Sequence, residues 1–338
     1  MEKRKISPKT SKKKVAAIVI GSILLLLVAA LCIGKGIANH YLDKINKIEA
    51  QDIETIPPEK ENFLEDVPDG ENVTVIAPED IQWADTVVFE ENALINIMLI
   101  GQDRREGQAR QRSDTMILCS INTETKQVSL ISFLRDLYVQ IPGGYSANRL
   151  NAAYAFGGFP LLSDTIYTNF GITIDGSIEV DFERFIDVID AMDGVDMELT
   201  AAEASIVRGG SVAGHNHLNG TQALAYARIR KLDDDFGRTA RQRKILEAAF
   251  QKIKTFNFVD LLSLMDVMLP SLSTDLSNDQ ILFLCVKCSP LLRSVELNSY
   301  YVPEHTEYHG AKIRGMSVLV PDLEQIRAHL QNEYLPLS

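Results

Sequence analysis

LINIMLIGQDRREGQARQRSDTMILCSINTETKQVSLISFLRD, residues 94–136, holds three apolar runs joined by polar connections. LINIMLIG (94–101) is almost continuously apolar and ends in Gly, the pattern of a strand buried on both faces. DTMILCSIN (114–122) predicts a second strand and Thr123–Gln127 a turn. VSLISFL (128–134) then predicts a third strand running back as a hairpin. Polar residues gather just past the strand ends. They are Asp103 and Arg104 after the first, Arg112-Ser113-Asp114 leading into the second, and Arg135-Asp136 after the third. In layered α/β domains the ends of central strands are where ligands sit.

Downstream, the pattern alternates helix and strand. NRLNAAYAFG (148–157) predicts a helix closed by Gly157-Gly158, and Pro160 to Phe170 another. VDFERFIDVIDAM (180–192) is amphipathic, with Phe182, Phe185, Ile186 and Ile189 on one stripe. VDMELT (195–200) reads as a strand and 201–218 as a loop. The His215-Asn216-His217 triplet in that loop has no neighbouring Cys or paired carboxylate to complete a metal site. NGTQALAYA (219–227) reads as a short helix capped by Asn219 or Thr221. Later helices are expected at 241–256, 258–268, 278–292 and 321–333, with strands at 299–302 and 317–320. His305, His309 and Arg314 fall in loops, where solvation is the simpler reading.

Between these blocks lies YARIRKLDDDFGRTARQRK (226–244). Arg228 and Arg230 share a face only if the backbone is extended. Arg238, Arg241 and Gln242 share one only on a helix. A short strand, an acidic turn through Asp233, Asp234 and Asp235, and a helix carrying Arg238 in its first turn are therefore expected. Arginines brought together this way suit an anion, because the guanidinium fork matches phosphate oxygens and a helix N-terminus adds N–H donors.

The chain has 338 residues and a formal charge of −12. Residues 1–14 carry seven basic side chains and one acid, which leaves −18 for the remainder. A body that acidic excludes nucleic-acid binding through a general basic surface. Val15 to Ile33 is uncharged for about 19 residues, about 28 Å as a helix, near the thickness of a bilayer core. The basic flank precedes it. This predicts a single-pass anchor over 15–34, a cytoplasmic tail over 1–14 and an exported remainder. Residues 35–92 read as an acidic tether, helical at first (YLDKINKIEA) and then loose. Val73–Ile76 and Trp83–Phe89 are expected to pack on the domain as edge strands, and the domain proper covers 93–338. The four cysteines include Cys285-x-x-Cys288, which has no second ligand pair and reads as buried thiols within a helix.

Carboxylates from separate strand ends, Asp103 and Asp114, suit Mg²⁺, which prefers oxygen ligands and keeps waters and phosphate oxygens in its shell. With the arginines, this is equipment for phosphoryl transfer.

NIMLIGQDR (96–104), RQRSDTMILCSIN (110–122), SFLRDLYVQIPG (132–143), NRLNAAYAFGG (148–158), MDGVDMEL (192–199) and LNGTQALAYARIR…DFGRTARQ (218–242), in this order, resemble the LytR–CpsA–Psr family. The resemblance covers roughly residues 94–260, with the basic tail and single anchor ahead of them. It implies an α/β fold, a three-layer α/β/α domain around a mixed central β-sheet. It also implies a membrane-anchored, extracytoplasmic, Mg²⁺-dependent phosphotransferase. Such an enzyme moves a glycopolymer (teichoic acid, capsule or another wall polysaccharide) from a polyprenyl-pyrophosphate carrier to peptidoglycan. By the same resemblance, Asp103 and Asp114 hold the metal and Arg112 and Arg135 contact the pyrophosphate. Arg228, Arg230 and Arg238 close on it from the other side. Asp235 and Gln242 orient those arginines or touch the head group. Arg135, Asp103 and Asp114 form the catalytic set, with Asp103 also a candidate base. The chain departs from the family at Gln102, where Ser is usual, and at Phe133-Leu134, where Ile-Pro is usual. Helices 148–170 and 180–192 are expected to line a groove for the leaving lipid. Two other readings stand beside it: a polyprenyl-pyrophosphate hydrolase, which would use the same residues with water as acceptor, and a membrane-bound regulator or wall-binding protein without catalysis.

Overall fold

The computed structural model describes residues 40, 42–61, 74–85, 88–89, 93–102, 110–229, 232, 235–253, 255–288 and 296–337. The apolar run at 15–33 lies outside them, and among the described residues no helix is long and apolar enough to cross a membrane. Residues 1–44 form a separate unit; everything below concerns the compact unit Ile45–Ser338.

Its elements begin with β1 (Asn46–Lys47), β2 (Leu94–Gln102), β3 (Ser113–Asn122), β4 (Gln127–Phe133), β5 (Tyr138–Val139) and β6 (Asn148–Arg149). Next come α1 (Leu150–Phe170), β7 (Gly176–Asp181), α2 (Phe182–Ala191), β8 (Val195–Leu199), α3 (Ala201–Val207) and β9 (Gly214–Leu218). α4 (Gly220–Ala227), α5 (Asp235–Ile253), α6 (Phe258–Met268), β10 (Leu272–Thr274) and α7 (Asn278–Cys288) follow. The chain closes with β11 (Glu296–Val302), β12 (Tyr308–Ile313), β13 (Met316–Pro321) and α8 (Leu323–His329).

A seven-stranded sheet in the order β1-β10-β7-β2-β3-β4-β11 forms the middle layer. β2, β3 and β4 pair antiparallel as the sequence predicts. β7 joins β2 and β11 joins β4 in parallel, so the sheet is mixed. Because side chains alternate along a strand, β2 and β3 divide their apolar residues between two helical layers. Met98, Ile100, Met116 and Leu118 pack with Tyr154, Phe159 and Ile166 of α1 and Ile326 of α8. Leu99, Ile117, Ile178 and Val180 face α2, α4 and α5 across the other side.

α1 is two helical pieces joined at Gly158, whose φ of 64° and ψ of −148° break the helix two residues before Pro160. A Cβ at Gly158 would stand 2.8 Å from Nη1 of Arg110 and 3.1 Å from Ile53, so the position needs glycine on two grounds.

Several sequence expectations change: Asn148–Arg149 form β6 rather than starting a helix, and His309 lies on β12 rather than in a loop. The segment 180–192 is not all helix: β7 runs to Asp181 and α2 starts at Phe182. The loop expected at 201–218 contains α3, started by a Thr200–Glu203 capping box, and β9, which pairs with β8. The start of the tether, expected to be helical, instead contributes β1 at the sheet edge, paired with β10. Val75 bridges Lys312, and Trp83 stacks on Tyr138 at 6.0 Å rather than pairing as a strand. Cys119 is a part-buried thiol on β3, while Cys32 and the side chains of Cys285 and Cys288 lie outside the described residues.

Candidate active site

Strand direction gathers the polar residues at one edge. Gln102 ends β2, Asp114 opens the antiparallel β3, and Arg135 follows β4. α5 brings its N-terminus to the same edge. Its Arg243 donates from Nη1 to Ser132 Oγ (2.7 Å) on β4 and from Nε to Ser299 Oγ (2.8 Å) on β11. Two turns earlier, Phe236 meets Tyr301 near the end of β11. Arg238 therefore stands over the strand ends, in the first turn of α5.

Asp114 and Arg135 form the centre of this edge. Arg135 Nη1 lies 2.7 Å from Asp114 Oδ1, and Nε lies 3.3 Å from Asp136 Oδ2. Asp136 in turn meets Arg149 Nε at 3.4 Å, and Arg149 donates to the Ser317 carbonyl at 3.0 and 2.6 Å. This relay fixes the Arg135 fork while leaving it about a quarter exposed (24%). Gln102 is fully buried and donates to the Gln111 carbonyl at 2.6 Å, which pins the backbone just before Arg112. Its Oε1 has no hydrogen-bond partner among the described residues. Asp103 and Arg104 lie outside the described residues, so Asp114 is the described member of the expected metal pair. Mg²⁺ takes one or two carboxylates plus waters and phosphate oxygens, and the donor chemistry of Asp114 beside a guanidinium fits that pattern.

The second half of the expected site is rearranged. Arg228 is not on a strand. It is the exposed C-cap of α4 with φ −97° and ψ 5°, because its N–H continues the helix to the Leu224 carbonyl (3.1 Å). Arg230 lies outside the described residues, as does the side chain of Asp235, whose backbone opens α5. Arg238 and Gln242 are buried on adjacent turns. Asn219 provides the cap of α4, with Gln222 completing a capping box.

Two of the five arginines are used inside the fold. Arg241 is held by Glu203 Oε1 (3.2 Å) and the Ile229 carbonyl (3.0 Å). Burial pushes the Arg243 guanidinium down to about 10. Glu203 is pushed up by burial. Donation from Thr200 and Arg241 outweighs this and leaves it below its ordinary value. His217 pairs with Asp196 (2.8 Å) and His215 with Glu198 (3.6 Å) across the β8–β9 hairpin. Among the described residues there is no group of three or more side chains arranged to hold a metal.

The apolar groove expected from the sequence is found, but its walls differ in part from the expected ones. A cavity of about 460 Å³ lies between β2, β3 and β7 and helices α2, α4 and α5. Leu99, Ile178, Phe185, Ile245 and Ala249 are among its walls. α2 lines it as expected, but α1 does not, because its apolar side is spent on the opposite face of the sheet. Gly101, Thr115 and Gln242 also line it. The first two neighbour Gln102 and Asp114 in sequence, and Gln242 lies one helical turn from Arg238. Gln242 Oε1, like that of Gln102, has no partner among the described residues.

A family model described as LytR_cpsA_psr matches residues 64–333. The polyisoprenyl-teichoic acid–peptidoglycan teichoic acid transferase TagU of Bacillus mycoides is 34% identical over 210 residues, 60% of this chain and 66% of that protein. The chain thus spans just under two thirds of that relative. The TagU of Enterococcus faecalis is 31% identical over 274 residues, 79% of this chain and 80% of that one. A solved structure, TagT bound to LIIa-WTA, matches with a TM-score of 0.59 at 25% identity, covering 78% of this chain and 99% of that chain. The matched stretch contains the site residues and cavity walls described above, and by its sequence and its layered mixed sheet the chain belongs to the LytR–CpsA–Psr family.

Proposed function

We propose that this chain is a membrane-anchored, extracytoplasmic phosphotransferase that moves a glycopolymer from a polyprenyl-pyrophosphate carrier to peptidoglycan. The observation that carries the reading is an apolar cavity whose walls Gly101 and Thr115 stand next to Gln102 and Asp114 in sequence and whose wall Gln242 lies one helical turn from Arg238, with Arg135 paired to Asp114 at 2.7 Å. A lipid with a pyrophosphate head needs both in one place. The cavity volume of about 460 Å³ suits a segment of an isoprenoid chain and falls within the about 300–1,000 Å³ range of ligand pockets. The names of the TagU relatives agree with a teichoic acid as the polymer.

In this reading the lipid end lies along Leu99, Phe185 and Ile245, and the pyrophosphate sits between Arg135 and Arg238. Arg112 and Arg228 approach from the flanks. An acceptor hydroxyl forms a bond to the sugar-linked phosphorus, the bridging P–O bond breaks, and polyprenyl monophosphate leaves. The acceptor proton passes to solvent or to a base. The arginines hold the oxygens on which charge grows, and they are already oriented when the substrate arrives. Mg²⁺ bound at Asp114 with Asp103 would supply further charge neutralisation at those oxygens. The uncharged run at 15–34 would hold the site near the outer membrane surface, where the carrier lies.

Ala249 tests the lipid assignment, since Ala249→Phe fills the cavity remote from the charged edge. Each buried CH₂ contributes about 0.8 kcal/mol, so displacing two or more should raise the KM for a long-chain donor about tenfold. A short-chain analogue should be affected little. Steady-state kinetics of the full chain in detergent with both donors measures this. Equal loss for the two donors, or none for either, contradicts the assignment.

A further inference from the structure

Beside the phosphate edge stands a group of rings that the transfer chemistry leaves unused. Phe236 lies 4.3 Å from His305, 5.4 Å from Tyr301 and 5.8 Å from Tyr308, centroid to centroid. The Tyr301 and His305 rings are 6.4 Å apart. Phe236, Tyr301 and Tyr308 are half-buried and His305 is exposed. Phe236 is one residue after the start of α5 and two before Arg238, so the rings share the turn that carries the anion site. Arg243, over the Tyr301 ring at 5.6 Å, fixes the base of the group.

Position along the sheet says what this group faces. The cavity lies over β7, β2 and β3, Asp114 is on β3, Arg135 follows β4, and Tyr301 is on β11. The order across the sheet is therefore apolar cavity, charged edge, aromatic group. β3 and β11 are two strand spacings apart, about 10 Å. In phosphoryl transfer the attacking and leaving oxygens lie roughly in line through phosphorus. A leaving oxygen attached to a lipid in the cavity points toward β2 and β7. The attacking oxygen then enters from the β11 side. Aromatic faces carry partial negative charge and pack against the C–H faces of pyranose rings.

We infer that Phe236, Tyr301, His305 and Tyr308 form a platform for a sugar ring of the acceptor, a hexopyranose of the peptidoglycan glycan strand. This rests on the proposed transfer for its direction, but it makes a separate claim about binding. The platform presents the acceptor hydroxyl to phosphorus from the side opposite the lipid.

The test uses the full chain in detergent and a peptidoglycan-derived tetrasaccharide with no lipid donor. Binding is read by calorimetry, and folding by the thermal midpoint. Tyr308→Ala and the exposed His305→Ala should each weaken tetrasaccharide binding about tenfold, and Tyr308→Phe should retain it. In transfer assays the alanine variants should raise the KM for the acceptor and not that for the lipid donor. Unchanged tetrasaccharide binding in both alanine variants overturns the inference. So does a wild-type chain that does not bind the tetrasaccharide. A rise in donor KM alone also overturns it, since the rings would then hold the donor sugar. Ring-dependent binding without any transfer supports the platform and counts against the transferase reading instead.

Discussion

Arg135→Ala is expected to lower turnover about 10²–10³-fold, the effect of removing one preorganised group that stabilises transition-state charge. The guanidinium is held by Asp114 at 2.7 Å and Asp136 at 3.3 Å, so its orientation is set before substrate binds. It also remains 24% exposed, so its removal should change stability by less than about 1 kcal/mol. Arg135→Lys keeps the charge but loses the fork that matches two phosphate oxygens. Its turnover should fall between wild type and Arg135→Ala. Single-turnover rates, with thermal midpoints measured beside them, check this. A folded Arg135→Ala chain with wild-type turnover contradicts a role for Arg135 in the chemistry.

Glu203→Ala should have the largest effect on stability, about 3–5 kcal/mol, because it takes the carboxylate from a buried ion pair. Arg241 is 3% exposed and Glu203 12%, and their N–O distance is 3.2 Å. The same carboxylate accepts from the Thr200 N–H and hydroxyl, both at 2.9 Å, so the capping box of α3 is lost with the pair. Urea denaturation reads the loss as a lower midpoint. Since the folded pKa of Glu203 is depressed below 4.5, its contribution is present above that pH. It fades as pH falls through the folded value. The gap between wild type and Glu203→Ala should therefore narrow in acid. A gap that widens in acid has the wrong sign for this pair. Arg241 also holds the Ile229 carbonyl, so the variant should loosen the approach to Arg238 and reduce turnover as well.

The central strands were readable because burial on both faces leaves an unbroken apolar run, as in LINIMLIG. β7 was not, although it is equally central. Its GSIEVD contains Glu179, which is buried and bonded to the Tyr154 hydroxyl, and its last residues run straight into the amphipathic α2. β9 reads GHNHL, whose alternation is carried by His215 and His217 outside and Asn216 and Leu218 inside. Only its pairing with β8 makes that a strand. The charged edge was legible in part because strand ends collect polar residues, as at Asp114 and Arg135. The direction of each arginine was not, since Arg228 follows its helix and Arg241 and Arg243 find partners far away in sequence. The cavity left no trace in any one segment because its walls come from several strands and helices. His305 looked like a solvated loop residue until β11 and α5 placed it against Phe236.

The central claim is transfer rather than hydrolysis or binding. The most direct measurement incubates the full chain with a polyprenyl-pyrophosphate glycan and peptidoglycan fragments, with Mg²⁺ or with chelator, beside Asp114→Ala. Mass spectrometry then reads the product. The account predicts a phosphodiester-linked glycan on the peptidoglycan fragment, together with polyprenyl monophosphate. Both should need Mg²⁺ and both should be lost in Asp114→Ala. Release of polyprenyl monophosphate with no linked glycan, or no cleavage of the carrier by a folded chain, would contradict it.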